Sequence, residues 1–313
     1  MSLLSRFSLN QKEIVLGHYF GSIEQLIEEL SEAGYVADRA LATVLFLADC
    51  IEKPIFLEGE PGVGKTEIAV VLSRMLGSDL IRLQCYEGLD ASTSLYEWNY
   101  PKQILRMRLE GQDNTAKDEI EKIIYSPDFL IKRPLLEAIL RSEEKTPVLL
   151  IDEIDRSDEE FEAFLLEVLA DFQITIPEIG TIQAKKRPLV VITSNRTRDV
   201  HDALKRRCLY HWIDYPSFEK EYMIIMKRLP GIESDFAKQI TGFIQKVREE
   251  DLMKRPGVSE TLDWGQALMA MHKRHLDEQV VTETIGCILK YREDIDKFRE
   301  EIWSDSDRKA AYI

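Results

Sequence analysis

Cysteine is scarce in this chain of 313 residues: Cys50, Cys85, Cys208 and Cys287 are far apart, with no CxxC pair. That excludes a disulfide scaffold and argues against a structural zinc site. Glycine (15) and proline (11) are too few for collagen-like or mucin-like chains. Long apolar runs are missing too. The longest, 40–51, contains Asp49 and falls short of the about 20 residues a membrane-spanning helix needs. The first residues, Met1-Ser2-Leu3-Leu4-Ser5-Arg6, lack the basic start, apolar stretch and cleavage site of a secretory signal, so a cytoplasmic location is expected. Positive charge is in deficit: 41 Lys+Arg against 56 Asp+Glu give a net charge of −15. This counts against broad, phosphate-driven nucleic-acid binding, though a local basic stripe is compatible with it. What remains is ample core material, 44% hydrophobic residues, in a length that suits about two domains.

Periodicity predicts helices over 11–33, where Ile23, Leu26, Ile27 and Leu30 share a face, and over 35–51. Short apolar runs at 54–58, 79–85, 147–151 and 188–193 read as strands, with helices over 67–76 (stopped by Gly77), 135–141 and 158–170. Ser157 and Glu160 suggest a capping box for the last of these. Residues 86–126 look polar and irregular, interrupted by Pro101 and Gly111. Residues 172–184 read as a hairpin about a Pro/Gly turn. After Pro216 strands cease, and helical patterns cover 217–229, 233–250, 260–276 and 280–300. The expectation is an α/β unit over 1–215, with a parallel sheet between helices, followed by a small all-α unit over 216–313.

The strongest motif is Gly59-Glu60-Pro61-Gly62-Val63-Gly64-Lys65-Thr66, which fits GxxxxGK[ST] between a strand and a helix. Its glycines permit torsions that turn successive N–H groups inward on a phosphate, and the helix adds its positive end. Lys65 would reach the β- and γ-phosphates, and the Thr66 hydroxyl would ligate Mg²⁺. A second apolar strand ends in Asp152-Glu153, at the edge where open α/β sheets bind ligands. Asp152 would hold Mg²⁺ and Glu153 would deprotonate the attacking water. A third strand ends in Asn195, which is either a γ-phosphate or water contact or a turn residue. Arg206-Arg207 is either a solvated face or a source of a phosphate-sensing finger for a neighbouring subunit.

In this order, these elements resemble those of an AAA+ ATPase, with Walker A at 59–66, Walker B at 148–153, sensor 1 at Asn195 and the finger at Arg207. Within that superfamily the chain resembles the MoxR family over nearly its whole length. The hairpin at 172–184 matches the family's pre-sensor hairpin, and 87–126 stands where the clade carries an insert. Segments 83–90 and 254–264 are similar to the branch linked to maturation of carbon monoxide dehydrogenase. The resemblance implies an AAA+ P-loop NTPase core with a helical lid, ATP and Mg²⁺ as ligands, and a hexameric ring of copies. It further implies a von Willebrand A-type partner and assembly of a metalloenzyme client. A DNA-directed motor is the alternative, since related branches translocate on nucleic acid. One departure stands out: where many MoxR proteins carry a sensor 2 arginine, this chain has Thr261, so either Arg255 substitutes or the lid reads nucleotide differently.

Other features have plainer readings. Tyr96, Trp98 and Tyr100 alternate as in a strand, for core packing or for protein contact. His272 and His275 have a metal-compatible spacing on a predicted helix, but flank Lys273-Arg274 as on a solvated face. The acidic run 155–160 reads as helix N-terminal charge, and Trp264 as a core residue.

Overall fold

The computed structural model describes residues 19–110, 123–142 and 146–303. Five parallel strands form one sheet: β1 (Ile55–Gly59), β2 (Leu80–Gln84), β5 (Val148–Asp152), β8 (Leu189–Ser194) and β9 (Leu209–Ile213), in the order β2-β5-β8-β1-β9. Every residue of β1, β5 and β8 is buried. Successive residues point to opposite faces, and each face has its own core. Ile55, Leu57, Val148, Leu150 and Val191 face the helices Ile23–Glu32, Arg39–Cys50 and Lys65–Met75. Phe56, Leu149, Ile151, Val190 and Ile192 face the helices Pro134–Arg141 and Glu159–Asp171. This is why the strands read as unbroken apolar runs.

Helix starts follow capping chemistry rather than the edges of apolar runs. The Ser22 hydroxyl accepts from Gln25 N, so the first described helix begins at Ile23; residues 11–18 of the expected helix lie outside the described residues. Asp38 accepts from Leu41 N and starts the second helix at Arg39. The expected capping box at Ser157 is not formed. Asp158 is the N-cap, its carboxylate accepting from Phe161 N at 2.8 Å, while the Ser157 hydroxyl turns to the Ile154 carbonyl.

Of the stretch 86–126 expected to be irregular, the described residues 86–110 are more ordered than their polarity suggested. They contain the helix Ala91–Leu95, a strand β3 (Tyr96–Trp98) paired antiparallel with β4 (Leu130–Lys132), and the helix Tyr100–Glu110. Pro101 starts this last helix instead of interrupting it. A first-turn proline has no intrahelical N–H to lose, and the Asn99 carboxamide accepts from Lys102 N. Gly111 lies outside the described residues. Tyr96 and Trp98 pack edge to face, whereas Tyr100 stands on the helix, exposed. The hairpin is present, with β6 (Gln173–Ile176) paired to β7 (Gly180–Gln183).

Beyond β9 the chain is helical: Phe218–Arg228, Ser234–Glu249, Val258–Ala270, Glu278–Thr284 and Arg292–Lys297. These helices share a separate core in which Phe243 packs against Trp264, Phe298 and Trp303. The Trp264 indole N–H donates to Thr284 Oγ1. The helix expected over 260–276 stops at Ala270 and His272 takes a left-handed conformation, so His272 and His275 do not share a helix face. Among the described residues no group of three His, Cys, Asp or Glu side chains could hold a metal. The helix expected over 280–300 is broken by a tight turn at Ile285–Cys287, where Gly286 lowers helical propensity. Among the described residues no helix is long and apolar enough to cross a membrane.

Candidate functional site

β1 delivers the chain into the loop Gly59–Thr66 at the C-terminal edge of the sheet. Gly62 and Gly64 take φ of +78° and +96°, a region costly for residues with a Cβ. Gly64 is also the N-cap of the helix Lys65–Met75, so the loop's main chain and the helix's positive end meet there. Lys65 is buried, and its Nζ donates to the Gly59 and Glu60 carbonyl oxygens, each at 2.7 Å. Burial lowers its pKa to about 8, against the opposing pull of Asp155, Glu60, Asp152 and Glu153.

β5 lies two places from β1, with β8 between them, so the ends of all three strands converge. Asp152 is buried at the end of β5. Its Oδ1 accepts from Thr66 Oγ1 at 3.0 Å and from Thr193 Oγ1 at 2.5 Å. Its Oδ2 accepts from Arg82 at 2.5 Å. A hydroxyl and a carboxylate oxygen side by side are hard donors, the set magnesium takes when phosphates complete its shell.

Glu153 follows in a left-handed conformation, φ 56° and ψ 51°, unusual for a residue with a Cβ. Three side chains hold its carboxylate. Asn195 Nδ2 donates to Oε1 at 3.1 Å, while Gln84 Nε2 and Arg156 Nε each lie 3.0 Å from Oε2. The structure thus brings Lys65, Thr66, Asp152, Glu153 and Asn195 together along one cleft of about 400 Å³. Arg207 lies elsewhere: it ends the helix Asp202–Arg207, is exposed, and donates to the Leu166 carbonyl.

Sequence reasoning missed three groups. Arg82 and Gln84 engage Asp152 and Glu153 from β2. Their signal was strand alternation, since Ile81 and Leu83 enter the core and leave 82 and 84 on the other face. Asp155 belongs to the run read as helix charge, yet it is buried. Its carboxylate accepts from Asn195 N at 3.1 Å, Thr197 N at 2.8 Å and Thr197 Oγ1 at 2.6 Å, fixing the turn after β8. Nothing in the local sequence separated it from its solvated neighbours.

The helical region closes the cleft from the other side. Ser259 N donates to the Gly62 carbonyl at 3.2 Å, and Lys220, Ile224, Arg228, Val258 and Leu262 line the cavity. Thr261 is fully buried and donates to Glu221 at 2.8 Å, so it faces the helical core. Arg255 is exposed and is not among the cleft-lining residues; its carbonyl accepts from Tyr215.

Residues 54–208 match the family model of the AAA domain, dynein-related subfamily. A comparison with curated proteins finds no match. Among solved structures, the chain is similar to the Holliday junction branch migration motor RuvB of Thermotoga maritima. Identity is 19% over 85% of this chain and 73% of that one, with a TM-score of 0.46. It is also similar to an inferred ATPase from Cytophaga hutchinsonii, at 16% identity over 92% of each chain and a TM-score of 0.46. The five-stranded parallel sheet flanked by helices, with the phosphate loop after β1 and a helical C-terminal region, is the AAA+ P-loop NTPase fold.

Proposed function

From the AAA domain at 54–208 as premise, we propose that this chain is a Mg²⁺-dependent ATPase of the MoxR type. It hydrolyses ATP in a ring of its own copies, a hexamer, and spends the cycle on remodelling a protein client. The observation that carries the reading is the Glu153 carboxylate, held by Asn195 and Gln84 one residue beyond the Asp152–Thr66 pair.

In this reading the loop amides of 59–66 and the Lys65 ammonium bind the phosphates. Lys65 gives up the Gly59 and Glu60 carbonyls to do so. Thr66 and Asp152 would hold the magnesium, which would supply neutralisation of phosphate charge. Glu153 accepts the proton of the attacking water, and Asn195 keeps its carboxylate aimed. Arg207 of a neighbouring copy completes the site. Residues 216–313 act as the lid over the core. The hairpin 172–184 and the segment 87–126 form the surface that works on the client. The segments 83–90 and 254–264 favour a metalloenzyme as client and a von Willebrand A-type protein as partner. The net charge of −15 counts against a nucleic-acid motor.

The test is phosphate release by the purified protein with Mg·ATP. Lys65→Ala should abolish nucleotide binding, and Glu153→Gln should bind ATP but lose about 10²–10⁴-fold in turnover. Normal hydrolysis by Glu153→Gln sinks the assignment of the base. Tight DNA binding with a steep salt slope would transfer the case to the motor.

A further inference from the structure

The helix Phe218–Arg228 turns Lys220, Ile224 and Arg228, spaced by four, onto the nucleotide cleft. Both cations are paired with the α/β core. Lys220 Nζ lies 2.9 Å from Asp38, and Arg228 Nη1 lies 2.8 Å from Glu67. The two pairs stand at opposite ends of this helix, Lys220 in its first turn and Arg228 as its last residue. Asp38 caps the helix Arg39–Cys50. Glu67 directly follows Thr66, in the first turn of the helix that closes the phosphate loop. Among the described residues that line the cleft, the cations are Lys65, Lys220 and Arg228. Of the two outside the loop, Arg228 is the one anchored beside it.

The chemistry favours an exchange at this point. The Arg228 and Glu67 side chains are 37% and 30% exposed, so their pair is screened by solvent and contributes little. A guanidinium forms shorter, paired hydrogen bonds with phosphate oxygens, and a polyanion carries more charge than one carboxylate. We propose that Arg228 is a nucleotide-contacting residue, whose guanidinium leaves Glu67 for the phosphate chain when a nucleoside triphosphate enters the cleft. The exchange draws the helix Phe218–Arg228 toward the loop. This assignment rests on the proposed reading of the cleft as a triphosphate site. It makes Glu67 a competitor for the arginine and gives the two partners opposite roles.

The experiment is calorimetric titration of the full chain with Mg·ATP for the wild type, Arg228→Ala, Arg228→Lys and Glu67→Gln. Arg228→Ala should weaken binding about tenfold, with Arg228→Lys between it and the wild type. Glu67→Gln should tighten binding by a factor of about three, because it frees the guanidinium. A structural clamp predicts otherwise: breaking it from either side has the same effect. If Arg228→Ala and Glu67→Gln shift the affinity in the same direction, or Arg228→Ala leaves it unchanged, the assignment is overturned. If the wild type itself fails to bind Mg·ATP, the proposed function falls and takes this assignment with it.

Discussion

Gly257 stands so close to Gly62 that a methyl group on it would lie 3.0 Å from the Gly62 Cα and 2.8 Å from the Pro61 carbonyl oxygen. Both neighbours are backbone, which cannot swing aside as a side chain can. The φ of Gly257 is −81°, so alanine is conformationally acceptable there and only the contact forbids it. Gly257→Ala should therefore lift the N-terminus of the helix Val258–Ala270 off the phosphate loop and leave both halves folded. Overpacking of this kind costs about 1–3 kcal/mol. Here it should appear mainly as roughly tenfold weaker nucleotide binding, with little change in melting temperature. A titration that matches the wild type would mean the helical region does not steady the loop.

How far the sequence foretold this arrangement depends on how local each cause is. The loop 59–66 and the acidic end of β5 were legible because one short segment carries each. The fully buried strands were legible because a sheet covered on both faces leaves no polar alternation to confuse. Capping was less so: Ser157 and Asp158 are both good N-cap residues, and the choice between them depends on the turn at Ile154–Arg156 that precedes them. Pro101 was misread because the same residue breaks a helix interior and starts a helix. Arg82, Gln84 and Asp155 escaped because their partners lie 40 to 70 positions away, at Asp152, Glu153 and Thr197. Only the strand order β2-β5-β8 brings them together.

Arg207 lies outside the cleft of its own chain, with its guanidinium on the Leu166 carbonyl. If it acts on a neighbour, Arg207→Ala should bind ATP nearly as the wild type does while turnover falls by about 10³-fold or more. Mixing it with Glu153→Gln should then restore part of the activity, because some interfaces pair an intact base with an intact finger. Phosphate release that stays at the sum of the two single variants argues against action in trans.

Glu221 and Arg248 form the buried ionic centre of the helical region. Arg248 donates to the two Glu221 carboxylate oxygens at 2.6 and 2.7 Å, and Gln245 and Thr261 add donors at 2.7 and 2.8 Å. Arg248 Nε also donates to the Pro256 carbonyl at 2.7 Å, next to Gly257. Arg248→Ala leaves a carboxylate buried without its cation and should cost about 3–5 kcal/mol in denaturant unfolding. The loss should be larger than for Arg39→Ala, whose pair with Glu24 is largely exposed. Equal losses would mean that water reaches Glu221.

Lys65 makes nucleotide binding a proton-linked event. Burial is the largest influence on it and lowers its pKa from 10.5 to about 8, despite four carboxylates that favour the charged form. Phosphates at the loop would raise that pKa again, since an adjacent anion stabilises the ammonium. Above about pH 8 the free protein should therefore take up a proton as ATP binds, and well below it the uptake should vanish. Titrations in two buffers of different ionisation heat measure this directly, and Lys65→Arg should abolish it because arginine does not titrate in this range. The same shift fixes the sign of the stability effect. Between about 8 and 10.5 the unfolded lysine still holds the proton that the folded one has lost, so stability in the absence of nucleotide should rise with pH across that window. A proton uptake that persists in Lys65→Arg would assign the linkage to another group.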